Sequence, residues 1–179
     1  MILIIKICKN NLHDLEFVKP IEDILRLNNI SFMTYHYKDI SNRIISRSKK
    51  IIISGTSLKD NSFLDDIKHF QWLEEFNIPV LGICGGMHIL GLVHDGKLKK
   101  QQEIGLIKIK FYKYIFGMFG PTDVYELHNF YVDSKDFTIE VKLNNVPQLI
   151  KHKNKPFYGI LFHPEVRNKD FILKFVKNS

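Results

Sequence analysis

The feature that most constrains this chain is a set of short apolar runs with no polar alternation. Ile2 to Ile7 (interrupted only by Lys6), Ile51-Ile52-Ile53, Val80 to Ile83 and Phe157 to Phe162 all have strand length. A strand covered on one face alternates apolar and polar residues, whereas a continuous apolar run belongs to a strand covered on both. Between these runs, Val18, Ile21, Ile24 and Leu25 recur at helical spacing, with Pro20 in the first turn. Phe63, Ile67, Phe70 and Leu73 or Phe76 recur likewise, and Met87 to Val93 continues as a helix until Asp95-Gly96. Ser31 to His36 alternates as a strand does. Strands separated by crossover helices predict an α/β fold: three layers, with an open, mostly parallel sheet and helices on both faces.

The second half reads richer in strands, at Ile104 to Phe111, Tyr125 to Val132, Phe137 to Leu143, Gln148 to His152 and Phe157 to Phe162, with a closing helix over Asp170 to Val176. No repeat, low-complexity tract or linker interrupts the 179 residues, so a single domain over 1–179 is expected. Hydrophobic residues at 45% and charged residues at 25% suit a soluble globular enzyme. The net charge of +7 comes from scattered lysines without the aromatic-plus-arginine pattern of an RNA-binding module, so no nucleic-acid partner is expected. Two cysteines, Cys8 and Cys84, cannot build a disulfide framework and fit a reducing cytoplasm. No apolar run approaches the roughly 20 residues of a membrane span. The N-terminus reads as a first buried strand, not a signal peptide.

The chemistry is concentrated in two segments. In Pro79-Val80-Leu81-Gly82-Ile83-Cys84-Gly85-Gly86-Met87-His88, a buried strand runs through Gly-x-Cys-x-Gly directly into a helix. That is the pattern of a nucleophile elbow, in which the helix start favours a thiolate and the Gly85 N–H can hold an oxyanion. Alone, the motif describes a buried structural cysteine in a glycine-rich turn equally well. The second segment, Phe157-Tyr158-Gly159-Ile160-Leu161-Phe162-His163-Pro164-Glu165, delivers His163 at the end of an apolar strand with Glu165 two residues on. Residues i and i+2 of an extended segment face the same way, so Glu165 can orient the His163 ring while its other nitrogen faces a thiol. A third element, Ile53-Ser54-Gly55-Thr56, follows a buried strand at the sheet edge where open α/β sheets bind ligands. Backbone N–H groups of Gly55 and Thr56 are the remaining oxyanion-hole candidates. The histidines show no metal-ligand spacing, and no metal or cofactor is expected. Cys8 reads as inert packing.

Gly-Ile-Cys-Gly-Gly at 82–86, with Tyr-Gly-Ile-Leu-Phe-His-Pro-Glu at 158–165, resembles the class I glutamine amidotransferases. The Ile-Ile-Ser-Gly loop falls at the corresponding earlier position. The resemblance implies a doubly wound, flavodoxin-like α/β amidase domain with a Cys84–His163–Glu165 triad. It implies attack of the cysteine on the glutamine side-chain amide, release of ammonia and a γ-glutamyl thioester that water hydrolyses. It also implies a separate ATP-dependent synthetase as partner, since the chain has no Gly-x-x-x-x-Gly-Lys-Ser/Thr motif. Segments 103–105 and 152–159 are similar to guanosine monophosphate synthetase amidase subunits, while 128–133 is closer to the carbamoyl phosphate synthetase small subunit.

Two departures from the family pattern stand out. His88 occupies the place of a Gln that contacts substrate, so glutamine is expected to bind weakly, or another γ-glutamyl compound is preferred, unless His88 simply packs in its helix. Thr56 replaces a second glycine. His128 falls where relatives carry a histidine near the substrate, and is the second substrate-binding candidate. The alternatives are a stand-alone γ-glutamyl hydrolase or peptidase, or a degenerate regulatory amidase subunit.

Overall fold

A computed structural model describes residues 1–178. The elements run β1 (Ile2–Lys6), α1 (Asn11–Phe17), α2 (Lys19–Leu27), β2 (Phe32–His36), α3 (Asn42–Ser46), β3 (Lys50–Ile53), α4 (Ser62–Asp65), β4 (Val80–Ile83) and α5 (Gly85–Val93). They continue with β5 (Lys97–Ile115), β6 (Met118–Asp133), β7 (Phe137–Leu143), β8 (Val146–His152), β9 (Phe157–Ile160) and α6 (Lys169–Lys177). The central sheet has seven strands in the order β2-β1-β3-β4-β9-β8-β7. Its first five strands pair in parallel and the last two antiparallel. This is the mostly parallel sheet that the unbroken apolar runs require.

Alternate residues of those strands supply two cores, one on each face. Ile4, Ile52, Leu81 and Ile83 pack with α2 and α6 through Ile21, Leu25, Phe171 and Phe175. Leu3, Ile5, Ile51, Ile53 and Val80 pack on the opposite side with Phe63, Phe70, Leu73 and α5. The three layers follow from that division. Parallel direction also brings the carboxyl ends of β3, β4 and β9 to one edge, because Ile53 pairs with Gly82 and Gly82 with Gly159. Segments 54–56, 84 and 161–165 therefore converge.

Three features refine or differ from the sequence expectation. The helical pattern after Phe63 folds as the short α4 and a 3-10 segment at Ile67–Glu74. Ile67, Phe70 and Leu73 recur every third residue, which a 3-10 helix places on one side. The strands around 104–132 pair only with each other: β5 and β6 form a long two-stranded hairpin outside the central sheet, while β7 joins its edge. Helix α1, unanticipated, begins where the Asn10 side chain accepts the Leu12 N–H at 3.0 Å.

Candidate active site

Cys84 occupies the single residue between β4 and α5, with φ 48° and ψ −102°. A side chain in this region costs on the order of 1–3 kcal/mol, which the surrounding structure must impose. It does so through the backbone. The Cys84 N–H donates to the Ile160 carbonyl of β9 at 2.7 Å, and the Cys84 carbonyl accepts from the His88 N–H at 3.1 Å. The turn is also too tight for a side chain at Gly82, where a Cβ would lie 2.5 Å from the Gly86 carbonyl. The result projects Cys84 at the amino end of α5, where the helix presents positive partial charge and unpaired N–H groups, that of Gly85 among them.

His163 follows β9 and is fixed from the hairpin, its N–H donating to the Tyr125 carbonyl at 2.8 Å. His163 and Glu165 are each 1% exposed. The His163 Nδ1–H donates to Glu165 Oε1 at 2.7 Å. Nε2 makes no conventional hydrogen bond, although the Cys84 side chain is near enough to favour the charged ring. Burial works against the imidazolium, but the Glu165 carboxylate and Cys84 outweigh it and raise the His163 pKa well above its ordinary value. Gly55 sits in the angle between these groups: a Cβ there would lie 2.7 Å from His163 Cε1 and 3.5 Å from Cys84 Cβ. The glycine is required by close approach.

Neither Gly55 nor Thr56 is among the residues with positive φ, so the Thr replacing a glycine carries no such strain. Thr56 instead anchors the loop by donating from Oγ1 to Asp60 Oδ2 at 3.0 Å. The Asp60 carboxylate also accepts the Lys9 N–H at 2.7 Å. Burial would raise the Asp60 pKa, but these bonds hold it below its usual value. Asp60 carries no motif, and spacing alone gives no sign of this role.

The candidate nucleophile is covered. Cys84 is 5% exposed, and its thiol donates to the Leu127 carbonyl of β6 at 3.5 Å. A cavity of about 20 Å³ remains beside it, lined in part by Thr56, Gly85, His88, Leu127 and His128. That is room for about one water molecule. Both substrate-binding candidates therefore border the cavity, with their ring nitrogens engaged elsewhere. His88 Nε2 lies 2.9 Å from the Phe130 carbonyl, to which it donates, and His128 faces Glu103 and Glu126. Cys8 is distinct: burial pushes its thiol up to about 12, and it donates to the Gly55 carbonyl at 3.7 Å.

Burial also holds the His88 pKa down to about 4. A histidine that binds its proton more weakly when folded adds stability above the unfolded pKa, and this is lost as pH falls through the window from 6.5 to about 4. The loss is on the order of 3 kcal/mol. His88→Gln, which can still donate to Phe130, is expected to abolish this component. Denaturant unfolding at pH 7 and pH 4.5 checks it, and equal pH slopes for the two proteins would contradict it.

Comparison with known proteins agrees with this fold. The family model "Glutamine amidotransferase class-I" matches residues 11–179. The glutamine-hydrolysing GMP synthase of Francisella tularensis subsp. holarctica is 32% identical over 145 residues, covering 74% of this chain and 28% of that protein. Its counterpart in Francisella philomiragia is 30% identical over 140 residues, covering 73% and 27%. The chain thus spans under a third of the length of these curated relatives. A Thermoplasma acidophilum protein provisionally designated a GMP synthase subunit superposes with a TM-score of 0.82 at 24% identity, over 98% of this chain and 92% of that one. A glutamine amidotransferase from Thermotoga maritima gives 0.72 at 20% identity, over 92% and 76%. These two likenesses show a shared fold. With the family model covering nearly every residue of the fold and site described above, this chain belongs to the class I glutamine amidotransferases.

Proposed function

We propose that the chain is a single-domain glutaminase over residues 1–179, in which Cys84, His163 and Glu165 form the catalytic triad. The observation that carries this reading is the strained Cys84 elbow meeting a buried His163–Glu165 pair across Gly55. Glu165 orients His163 by accepting from Nδ1–H and stabilises the imidazolium that forms when Nε2 holds the proton of Cys84. The thiolate attacks the side-chain amide carbon of glutamine. N–H groups of Gly85, Gly55 and Thr56 hold the developing oxyanion, and the imidazolium returns its proton to the departing ammonia. Water, activated by His163, then hydrolyses the γ-glutamyl thioester to glutamate. His88 and His128 form part of the pocket wall.

The ammonia passes to a separate ATP-dependent synthetase, a GMP synthetase in this reading. Two observations support a partner: the similar proteins bearing that name, and the apolar residues Ile104, Leu106, Tyr112, Tyr114 and Phe119 exposed on the hairpin. Apolar patches of this kind mark interaction surfaces. A cytoplasmic setting fits the free cysteines, Cys8 and Cys84. Among the described residues no helix is long and apolar enough to cross a membrane.

The test is ammonia release from glutamine by the purified chain, alone and with a GMP synthetase lacking its own amidase. Release that rises with the synthetase supports the reading. Hydrolysis of γ-glutamyl peptides with no response to glutamine or synthetase would replace it with the peptidase alternative.

A further inference from the structure

A second polar cluster lies between the hairpin and β8, outside the triad. Glu103 on β5 stands directly across from His128 on β6, and Glu126 precedes His128 by two residues, so both point to one face. His128 Nε2 lies 3.2 Å from Glu103 Oε2 and 3.3 Å from Glu126 Oε2. The other ring nitrogen faces the Gln101 carbonyl at 3.1 Å. A carbonyl only accepts, so a proton sits on Nδ1; Nε2, against two carboxylate oxygens, either carries a second proton shared with them or, in the neutral ring, offers its lone pair to a cation. Gln148 on β8 donates through Nε2 to Glu103 Oε2 at 3.0 Å.

Burial makes this arrangement demanding. Glu126 and Gln148 are both 0% exposed and His128 is 1% exposed. Neither carboxylate oxygen of Glu126 has a hydrogen-bond partner, nor does Gln148 Oε1. Among the described residues His128 is the sole ion-pair partner of either carboxylate. Buried carboxylates of this kind are strongly disfavoured unless paired with positive charge or bound to a metal.

We propose that Glu103, Glu126 and His128 bind one divalent transition-metal ion, with Gln148 orienting Glu103 from outside the ligand set. The three ligand atoms lie within 4.8 Å of one another. Oxygen and nitrogen ligands sit about 2.0–2.2 Å from an ion such as Zn²⁺, which places neighbouring ligand atoms of a tetrahedral shell about 3.3 Å apart. The 3.2 and 3.3 Å separations fit that edge length. An imidazole whose second N–H donates to a backbone carbonyl, beside a carboxylate that is itself hydrogen-bonded, is the usual support for such a ligand set. Two carboxylates and one imidazole suit Zn²⁺, Mn²⁺ or Fe²⁺, and a double positive charge balances the two acids. The ion would bridge the two hairpin strands beside Tyr125, the residue that holds the His163 N–H. Sequence spacing gave no sign of the site because its one imidazole meets Glu103 only through cross-strand pairing.

The test reads metal directly and does not depend on the amidase reading. The full chain is freed of metal with chelator and titrated with Zn²⁺ or Mn²⁺ alone, by calorimetry and by metal content after gel filtration. One equivalent per chain is expected, with Tm rising as free metal increases. Gln148→Leu is expected to bind about 10- to 100-fold more weakly, and Glu126→Gln to lose stoichiometric binding. Cys84→Ala is expected to bind as the wild type does. Absence of uptake by the folded wild type overturns the proposal and leaves a proton as the occupant of the cluster. Unchanged uptake by Glu126→Gln overturns it as well, and so does loss of uptake in Cys84→Ala, which would move the ion to the thiolate. If Glu126→Gln does not fold, unchanged affinity in Gln148→Leu is the result that sinks the idea.

Discussion

Cys84→Ala is expected to reduce ammonia release from glutamine to the uncatalysed background, a fall of about 10⁶-fold by analogy with removal of a triad nucleophile. No other group near His163 can substitute. Cys8 is the only other thiol in the chain, and it is buried, pushed up to about 12 and donating to the Gly55 carbonyl. Water admitted in place of the sulfur would lack the intrinsic nucleophilicity of a thiolate. The assay is an ammonia-coupled rate with the activating synthetase present, beside a circular dichroism spectrum to show that the fold persists. A folded Cys84→Ala chain that turns over glutamine near the wild-type rate would remove Cys84 from the mechanism.

Glu165→Gln is expected to cost about 10⁴-fold in kcat, less than loss of the nucleophile. The amide keeps the shape of the carboxylate but cannot neutralise an imidazolium, and it permits the wrong His163 tautomer. Stability supplies an independent reading of the same pair. The folded His163 pKa is raised, so its contribution is fully present below the ordinary value of 6.5 and is lost as pH climbs through the raised one. Glu165→Gln is therefore expected to destabilise most at acidic to neutral pH and least in alkali, the reverse of the His88 dependence. A uniform loss of stability with unchanged kcat would show Glu165 to be a packing residue.

Much of the fold was legible because burial on both faces leaves a plain mark. Ile2 to Ile5, Ile51 to Ile53 and Val80 to Ile83 all form parallel strands of one sheet. The convergence of 54–56, 84 and 163–165 then follows from strand direction, since loops at the carboxyl ends of parallel neighbours share an edge. What stayed hidden is information about partners. The segment Tyr125 to Val132 reads as a strand, but nothing in it says that its mate is β5. The contacts that depend on this pairing were equally invisible, among them Leu127 on the Cys84 sulfur, Tyr125 on the His163 N–H and Glu103 beside His128. At 67–74 the apolar residues Ile67, Phe70 and Leu73 recur every third position, and the segment folds as a 3-10 helix with Phe70 and Leu73 buried.

With the Leu127 carbonyl on its sulfur and about 20 Å³ of space beside it, Cys84 has no room beside it for a glutamine side chain, so on the proposed glutaminase reading the 127–130 segment would have to move outward to admit one. Apparent affinity then scales with the population of that outward state. If it is occupied roughly one time in a hundred, glutamine binds about 100-fold more weakly than to a permanently open site. On that reading, a synthetase partner that held the hairpin outward would raise this fraction and lower KM without touching any member of the proposed triad. Hydrolysis in the absence of an acceptor would then be suppressed by occupancy statistics alone, with the proposed triad assembled throughout.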